Sequence, residues 1–594
     1  MIFLLAFIVL GSSASTSRPH IIFMLADDMG WDDVSFHGSP QIPTPNMDVL
    51  AADGIILNNY YVQPLCTPSR VALLSGMLPI HTGQEHFVLS PAEAGGLPLR
   101  FRIMPQYFRD LGYETHMVGK WHIGYSSKEY TPTFRGFDSF YGYYNGAEDY
   151  YNHTIEFQNQ TGLDFWLNMT PLFNETGNYS TTLYTERAKL LIRNRNTAKP
   201  LFLYLSYQAV HGGSAADPLA APEENVAKFP YIGERNRTLF AGMTDALDES
   251  IGDVFEALFE ADMLDNTILV MSSDNGGLPF GQESNSGFNF PLRGAKGTLW
   301  EGGTKASAFI WSPLLNQRQR VSNQMMHITD WLPTLYSAAG GSPASLGKVD
   351  GFDMWTQISY NLPSSRYEVL YNYDPVDLYS ALRYTTYKLV LGTYNGGVYD
   401  QRFRTPGGSR PYGDLEILMA QSKAARILRG VYNTGSVLLP TNWRQRATVY
   451  CNQNVQRNFV SQASPYLFDL ANDPCEQNNI ASAQVGSSVE AMKETIKGLQ
   501  ESVKKYESMM ELVSGNDKEV RLLRSEVGVL QGRVTDETVM FEQLHANINS
   551  TEQYSRRCNV EIHGIPFTRN EELRAATQDL AENWILGAIP LPMF

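Results

Sequence analysis

Four stretches of this chain share one construction: "PHIIFMLAD" (19–27), "YETHMVGKWH" (113–122), "KPLFLYLSYQAVH" (199–211) and "DNTILVMSSDNGG" (265–277). Each is a short apolar run, rich in β-branched and aromatic residues, that delivers polar side chains at its carboxyl end. Runs apolar on both faces suit strands buried on both sides, as in a parallel sheet covered by helices. Helix-like segments separate them, among them "RIMPQYFRDLG" and "RTLFAGMTDALDESIGDVFEALFEADML". Strands alternating with amphipathic helices predict an α/β fold with a mixed, mostly parallel sheet sandwiched by helices, and a ligand site beyond the carboxyl ends of the strands. An apolar fraction of 43% supports a large core. Beyond about residue 365 the strands shorten, as in "YSALRYTTYKLVLGTYNGG" (379–397) and "SPYLFDLANDPCEQNN" (464–479), which predicts a smaller antiparallel domain.

The chain opens with "MIFLLAFIVLGSSAS", an apolar run too short to span a bilayer and followed by small residues, so residues 1–14 are expected to be a signal peptide. Acceptor sites N-x-[ST] at Asn152, Asn159, Asn168, Asn174, Asn178 and Asn236 support routing through the secretory pathway, to a lysosome or the exterior. No later stretch has the length of a membrane span. With four cysteines in 594 residues, stability must come from the core, and Cys451 with Cys475 is the expected disulfide. A net charge of −16 argues against nucleic acid as a partner of the globular part and requires a local cationic pocket for any anionic substrate. From Val489 to Ile548, apolar residues recur at 3,4 spacing over more than eight heptads, interrupted at Asp517 and Glu537, which predicts a C-terminal coiled-coil helix able to join copies of the chain. Its first part, to about Met510, has the alternative of packing on the smaller domain.

Asp27, Asp28, Asp274 and Asn275 stand at the ends of two of the four strands. Singly, such pairs read as helix caps or turns. Together they are a hard oxygen set for Ca²⁺ or Mg²⁺, and three neighbouring acids repel unless a cation lies between them. Arg70, Lys120, His122, His211 and Lys296 form a cationic set at the same end of the expected sheet; Lys120 and His122, two apart, are expected on one face. Metal, lysines and histidines around a nucleophile suit transfer of a tetrahedral oxyanion, phosphoryl or sulfuryl. The nucleophile candidate is Cys66 in "PLCTPSR" (64–70), although a soft thiol fits poorly beside an oxygen-bound metal.

"CTPSR" resembles the C-x-P-x-R signature of the sulfatase family, and "ADDMGWDDVSFHG", "GYETHMVGKWHIG", "SSDNGG" and "PLRGAKGTLWEGG" continue the likeness from about Pro19 to about Tyr506. "GFDSFYGYYNGAEDYY" is most similar to the arylsulfatase B branch, N-acetylgalactosamine-4-sulfatases and their I and J relatives. The resemblance implies an alkaline-phosphatase-like fold, with a catalytic domain over 19–365 and a smaller subdomain over 366–510. It implies that a formylglycine-generating enzyme oxidises Cys66 to formylglycine, whose hydrate attacks sulfur. It also implies one Ca²⁺ on Asp27, Asp28, Asp274, Asn275 and the position-66 oxygen. Arg70 would then hold the formylglycine, and His122 would bond its hydrate. Lys120 and Lys296 would neutralise sulfate, while His211 and Lys296 would serve the leaving alcohol. The implied substrate is a sulfated glycosaminoglycan or oligosaccharide, first among them N-acetylgalactosamine 4-sulfate groups of chondroitin or dermatan sulfate. Residues 511–594 depart from the family, and "EQYSRRCNVEIHGIP" (552–566) resembles coiled-coil proteins encoded by retroelements; the tail reads as a fused or misassembled segment. The competing readings are a related sulfatase of other specificity, a phosphodiesterase of the same superfamily and a non-catalytic oligomerising protein.

Overall fold

The computed structural model describes residues 18–214, 218–281 and 284–481, with single positions between 498 and 508. The expected signal peptide (1–14), most of the heptad segment and the tail (511–594) lie outside the described residues. The central strand is His20–Ala26. Its alternation divides two cores: Ile22, Met24 and Ala26 face one helical layer, while Ile21, Phe23 and Leu25 face the other. Phe23 is fully buried, so Phe23→Ala would cost about 3–5 kcal/mol.

Around this strand, Thr267–Ser273, His20–Ala26, Leu201–Ser206, Glu114–Lys120 and Ser139–Tyr143 lie side by side and parallel, the middle of a ten-stranded sheet. Ala308–Trp311, Ile55–Leu57 and Arg320–Ser322 extend one edge, and the hairpin Trp166–Leu167 with Thr170–Pro171 forms the other. Helices Pro45–Asp53, Ser180–Arg193 and Arg235–Glu260 cover one face. Cys66–Ser75, Met104–Asp110 and Trp331–Ala338 cover the opposite face. This is the mixed, mostly parallel sandwich expected from the sequence.

A separate four-stranded antiparallel sheet follows: Glu368–Asp374, Tyr379–Tyr384, Tyr387–Leu391 and Tyr466–Asp469. Between its third and fourth strands the chain returns to the large layer. Helices Gly413–Gln421, Lys423–Tyr432 and Trp443–Ala447 bury Met419, Ile427, Leu428 and Trp443 in the core of the large sheet. The sequence reading did not anticipate these helices. A disulfide joins Cys451 to Cys475, and Cys66 is a free, buried thiol. Among the described residues no helix is long and apolar enough to cross a membrane.

Candidate active site

Strand register assembles the site. Ala26 pairs with Ser273, so Asp27 and Asp274 leave the sheet side by side, and the Asp274 amide donates to the Ala26 carbonyl at 3.1 Å. Two consecutive strand residues would point to opposite faces. Asp28 escapes that alternation through φ 58°, a left-handed conformation that aspartate tolerates, and its amide donates to Asp274 Oδ1 at 3.1 Å. Glycine is required one step before Lys120: Gly119 has φ +100°, and a Cβ there would fall 1.8 Å from the Ser206 carbonyl oxygen.

Cys66 is the first residue of the helix Cys66–Ser75, which places Arg70 one turn on and the same side. Cys66 Sγ lies 3.5 Å from Asp27 Oδ1 and 3.9 Å from Asp28 Oδ1. Arg70, fully buried, donates to Asp274 Oδ2 at 2.8 Å and Ser206 Oγ at 2.6 Å and sits 3.3 Å from Asp27 Oδ1. Lys120 Nζ donates to Asp27 Oδ2 at 2.6 Å, and Lys296 Nζ to Asp28 Oδ2 at 2.8 Å. His211 Nδ1 donates to the Gly212 carbonyl at 2.6 Å, which leaves Nε2 to accept from Lys296 Nζ at 3.0 Å. His122 Nε2 bonds the Leu89 carbonyl at 3.0 Å.

Burial opposes charge on Asp27, Asp274, Cys66, His122 and His211, and neighbouring charges oppose or add to it. Burial disfavours an ionised Asp27, but Lys120, His211, Arg70 and Lys296 together hold it well below the usual carboxylate range. Asp274 is raised to about 7, by burial first and then by the charge on Asp27. His211 and His122 are both lowered, by burial and then by the neighbouring Lys296 and Lys120 respectively. Burial drives the Cys66 thiol far up despite Lys120 and Lys296, so the sulfur is a neutral thiol. A neutral thiol wedged between carboxylates is a poor nucleophile, since the thiolate is the reactive form.

A divalent cation fits this donor set. Ligand atoms of Asp27, Asp28, Cys66 and His211 all lie within 4.8 Å of one another, and Asn275 Oδ1 is buried without a hydrogen-bond partner among the described residues. Carboxylates with an amide oxygen are the hard ligands that Ca²⁺ takes.

A sequence profile described as Sulfatase matches residues 19–342. The chain belongs to the sulfatase family. It is 39% identical over 481 residues to mouse (Mus musculus) arylsulfatase J, covering 80% of this chain and 74% of that protein. Human (Homo sapiens) N-acetylgalactosamine-6-sulfatase is 31% identical over 359 residues, covering 58% and 66% respectively. In fold it is similar to the crystal structure of Ps i-CgsB in complex with k-i-k-neocarrahexaose, at TM-score 0.62 and 24% identity, covering 82% of this chain and 92% of that one. This sulfatase is a sulfuric ester hydrolase of α/β architecture, and the arylsulfatase I/J branch fits it.

In the sulfatase, the candidate metal-binding and catalytic residues, Asp27, Asp28, Cys66, Arg70, Lys120, His122, His211, Asp274, Asn275 and Lys296, gather at the carboxyl end of the large sheet. Two placements differ in detail from the reading. His122 is not on the strand with Lys120: the strand ends at Lys120, and φ 54° at His122 breaks the alternation. His211 lies in a turn beyond strand Leu201–Ser206 rather than at its end. Arg70 grips the carboxylates of Asp274 and Asp27. Ser69 and Ser206 carried no sequence signal: Ser69 Oγ donates to the Asp274 carbonyl at 2.5 Å, and Ser206 Oγ accepts from Arg70. Asn285 was also missed; its Nδ2 ties the Asp28 and Val210 carbonyls at 2.8 and 2.9 Å.

Proposed function

We propose that this sulfatase hydrolyses sulfate esters of N-acetylgalactosamine in glycosaminoglycan, the 4-sulfate first, with Cys66 acting after oxidation to formylglycine by a formylglycine-generating enzyme in the secretory pathway. The observation that carries the reading is the neutral, buried Cys66 thiol set between hard oxygen ligands and two lysines. That setting suits an oxygen nucleophile better than a thiol. The hydrated aldehyde would supply that oxygen and, through its second hydroxyl, a route to sulfate release that a plain serine lacks. Asp27, Asp28, Asp274 and Asn275, with the position-66 oxygen, would hold Ca²⁺, which when bound polarises a sulfate oxygen.

The side chains account for the remaining work. Lys120 and Lys296 now pair with Asp27 and Asp28, and once those carboxylates serve a cation the two ammonium groups would turn toward sulfate oxygens. Lys296 Nζ donates to His211 Nε2 at 3.0 Å, and burial with the charge of Lys296 disfavours the imidazolium. This pair is placed to protonate the departing alcohol. His122 Nδ1 is buried without a partner among the described residues, which suits a bond to the position-66 hydrate. Arg70 fixes Asp274 and Asp27 from the helix that begins at Cys66.

Mass spectrometry of the peptide containing position 66, from protein made in secretory-pathway cells, should show formylglycine; thiol alone would sink the reading. Initial rates on 4-sulfated and 6-sulfated N-acetylgalactosamine oligosaccharides should favour the former. Turnover of phosphodiesters without turnover of aryl sulfates would overturn the assignment.

A further inference from the structure

The cationic side chains of the site all face carboxylates. Three arginines nearby do not. Arg402, Arg404 and Arg457 make no ion pair among the described residues, in a chain whose net charge is −16. Arg402 is half-buried and donates to Cys451 Sγ at 3.0 Å. The exposed Arg457 donates to Gln453 Oε1 at 3.1 Å, and the guanidinium carbon of the exposed Arg404 sits 5.2 Å from the Phe290 ring centroid. Arg402 is lowered, by burial first and then by the like charge of Arg457; Asp473 opposes this, and Arg404 adds a smaller like charge. Asp473 Oδ2 is engaged by the amides of Gln477 and Asn478, and its Oδ1 is buried without a hydrogen-bond partner among the described residues. Three like charges against one nearby carboxylate are stabilised by an incoming anion.

Their location gives the cluster a purpose. Segment 400–405 is fastened to the loop that runs from Asn275 to Lys296: the Gly294 amide donates to the Gln401 carbonyl at 2.9 Å, and Arg293 Nη1 to the Asp400 carbonyl at 2.7 Å. At its far end the Thr405 hydroxyl donates to Asp32, in the loop that follows Asp27 and Asp28. Arg402 and Arg404 therefore sit against the loops that leave the strands ending before Asp27 and Asp274, while Arg457 lies on the segment that follows Cys451. Beside them Phe280, 41% exposed, meets Phe403 edge-on at 4.9 Å and Tyr399 at 5.3 Å, an aromatic surface of the kind on which sugar rings stack.

We propose that Arg402, Arg404 and Arg457, with Phe280 and Phe403, form an accessory subsite for a second anionic group of the substrate. A sulfated oligosaccharide would be held there through a neighbouring sulfate or carboxylate, apart from the ester being hydrolysed. The proposal rests on the sulfated-glycan reading above. Guanidinium forks match sulfate and carboxylate oxygens two at a time, and a local cationic rim offsets the repulsion between an acidic protein and a polyanion.

The test compares wild type, the single variant Arg457→Ala, the double variant R404A/R457A and its lysine counterpart R404K/R457K. KM and kcat are measured on a 4-sulfated chondroitin tetrasaccharide and on a small aryl sulfate. Kd for a fluorescent tetrasaccharide is measured at low and high salt. In R404A/R457A the rise in tetrasaccharide KM should exceed any change on the aryl sulfate by about tenfold, with Kd weakened to match and a shallower salt dependence. The lysine pair should recover the salt dependence in part, and R457A should show a smaller shift in the same direction. Equal effects on both substrates, or an unchanged Kd, overturn the subsite. Should wild type turn over neither substrate, the catalytic reading falls, and the Kd comparison still decides the subsite. If the double variant does not fold, R457A carries the same comparison.

Discussion

Two buried charge clusters in this molecule use the same residue types to opposite ends. At the active site, Asp27, Asp28 and Asp274 face Arg70, Lys120 and Lys296, yet Asn275 Oδ1, His122 Nδ1 and Arg70 Nε remain without hydrogen-bond partners among the described residues. Where the small sheet meets the large one, Lys388 lies between Glu301 at 3.0 Å and Glu476 at 2.8 Å. There both Glu301 oxygens and Glu476 Oε2 are hydrogen-bonded, with Tyr371 and Tyr61 hydroxyls donating to Glu301 at 3.0 and 2.8 Å and the Glu301 amide to Glu476 Oε2 at 2.8 Å, while Glu476 Oε1 faces Lys388 as an ion pair alone. The second cluster is closed and structural. The first is held open, and its unsatisfied groups mark where a cation and an anion are expected.

The sharpest way to separate the two clusters is to change one nucleophile position and no charge. Cys66→Ser should lower aryl sulfate turnover by on the order of 10⁴ or more while leaving the thermal midpoint nearly in place. Steady-state assays with scanning calorimetry check both halves, and substantial turnover by the serine variant would break the distinction. Lys388→Met attacks the closed cluster instead. It leaves two buried carboxylates without their shared cation and should cost about 3–5 kcal/mol in urea unfolding, with little effect on KM.

A smaller effect appears in pH. Glu476 is raised from 4.5 to about 7 by burial, against Lys388, whereas Glu301 is held down to about 2 because Lys388, Lys305 and Arg383 outweigh its burial. A raised folded-state value means that the native state binds the extra proton. The stabilisation is complete below about pH 4.5 and is lost as pH rises through about 7, at most on the order of 3 kcal/mol. Melting curves from pH 4.5 to 8 should fall for the wild type and stay flatter for Glu476→Gln; parallel curves would count against the assignment. The smallest effect belongs to the surface. Asn159, exposed at the tip of the hairpin Thr154–Phe157 with Gln160–Leu163, should carry a glycan, so Asn159→Gln should drop one step in gel mobility and change stability by less than about 0.5 kcal/mol.

Much of this was legible because the strands are apolar on both faces. A run such as "HIIFMLA" admits few environments, and its carboxyl end fixes where Asp27 must emerge. The helices over 413–447 were less legible. They interrupt a sheet whose strands are paired across them, and nothing local in the sequence says that a chain will leave one layer, cover another and return. The accessory arginines were invisible for the same reason: Arg402 and Arg457 are far apart in sequence, and the disulfide between Cys451 and Cys475 lies among them.

The sequence by itself determined the parallel sandwich, the group of hard oxygen side chains, the cationic set and the cysteine at position 66, since each follows from residue type and short-range periodicity. Only the tertiary structure decided which carboxylate each cation holds, that φ 58° at Asp28 and φ 54° at His122 release those side chains from strand alternation, and that burial keeps Cys66 a neutral thiol. Those outcomes depend on register and desolvation, which arise only when distant segments share one interior.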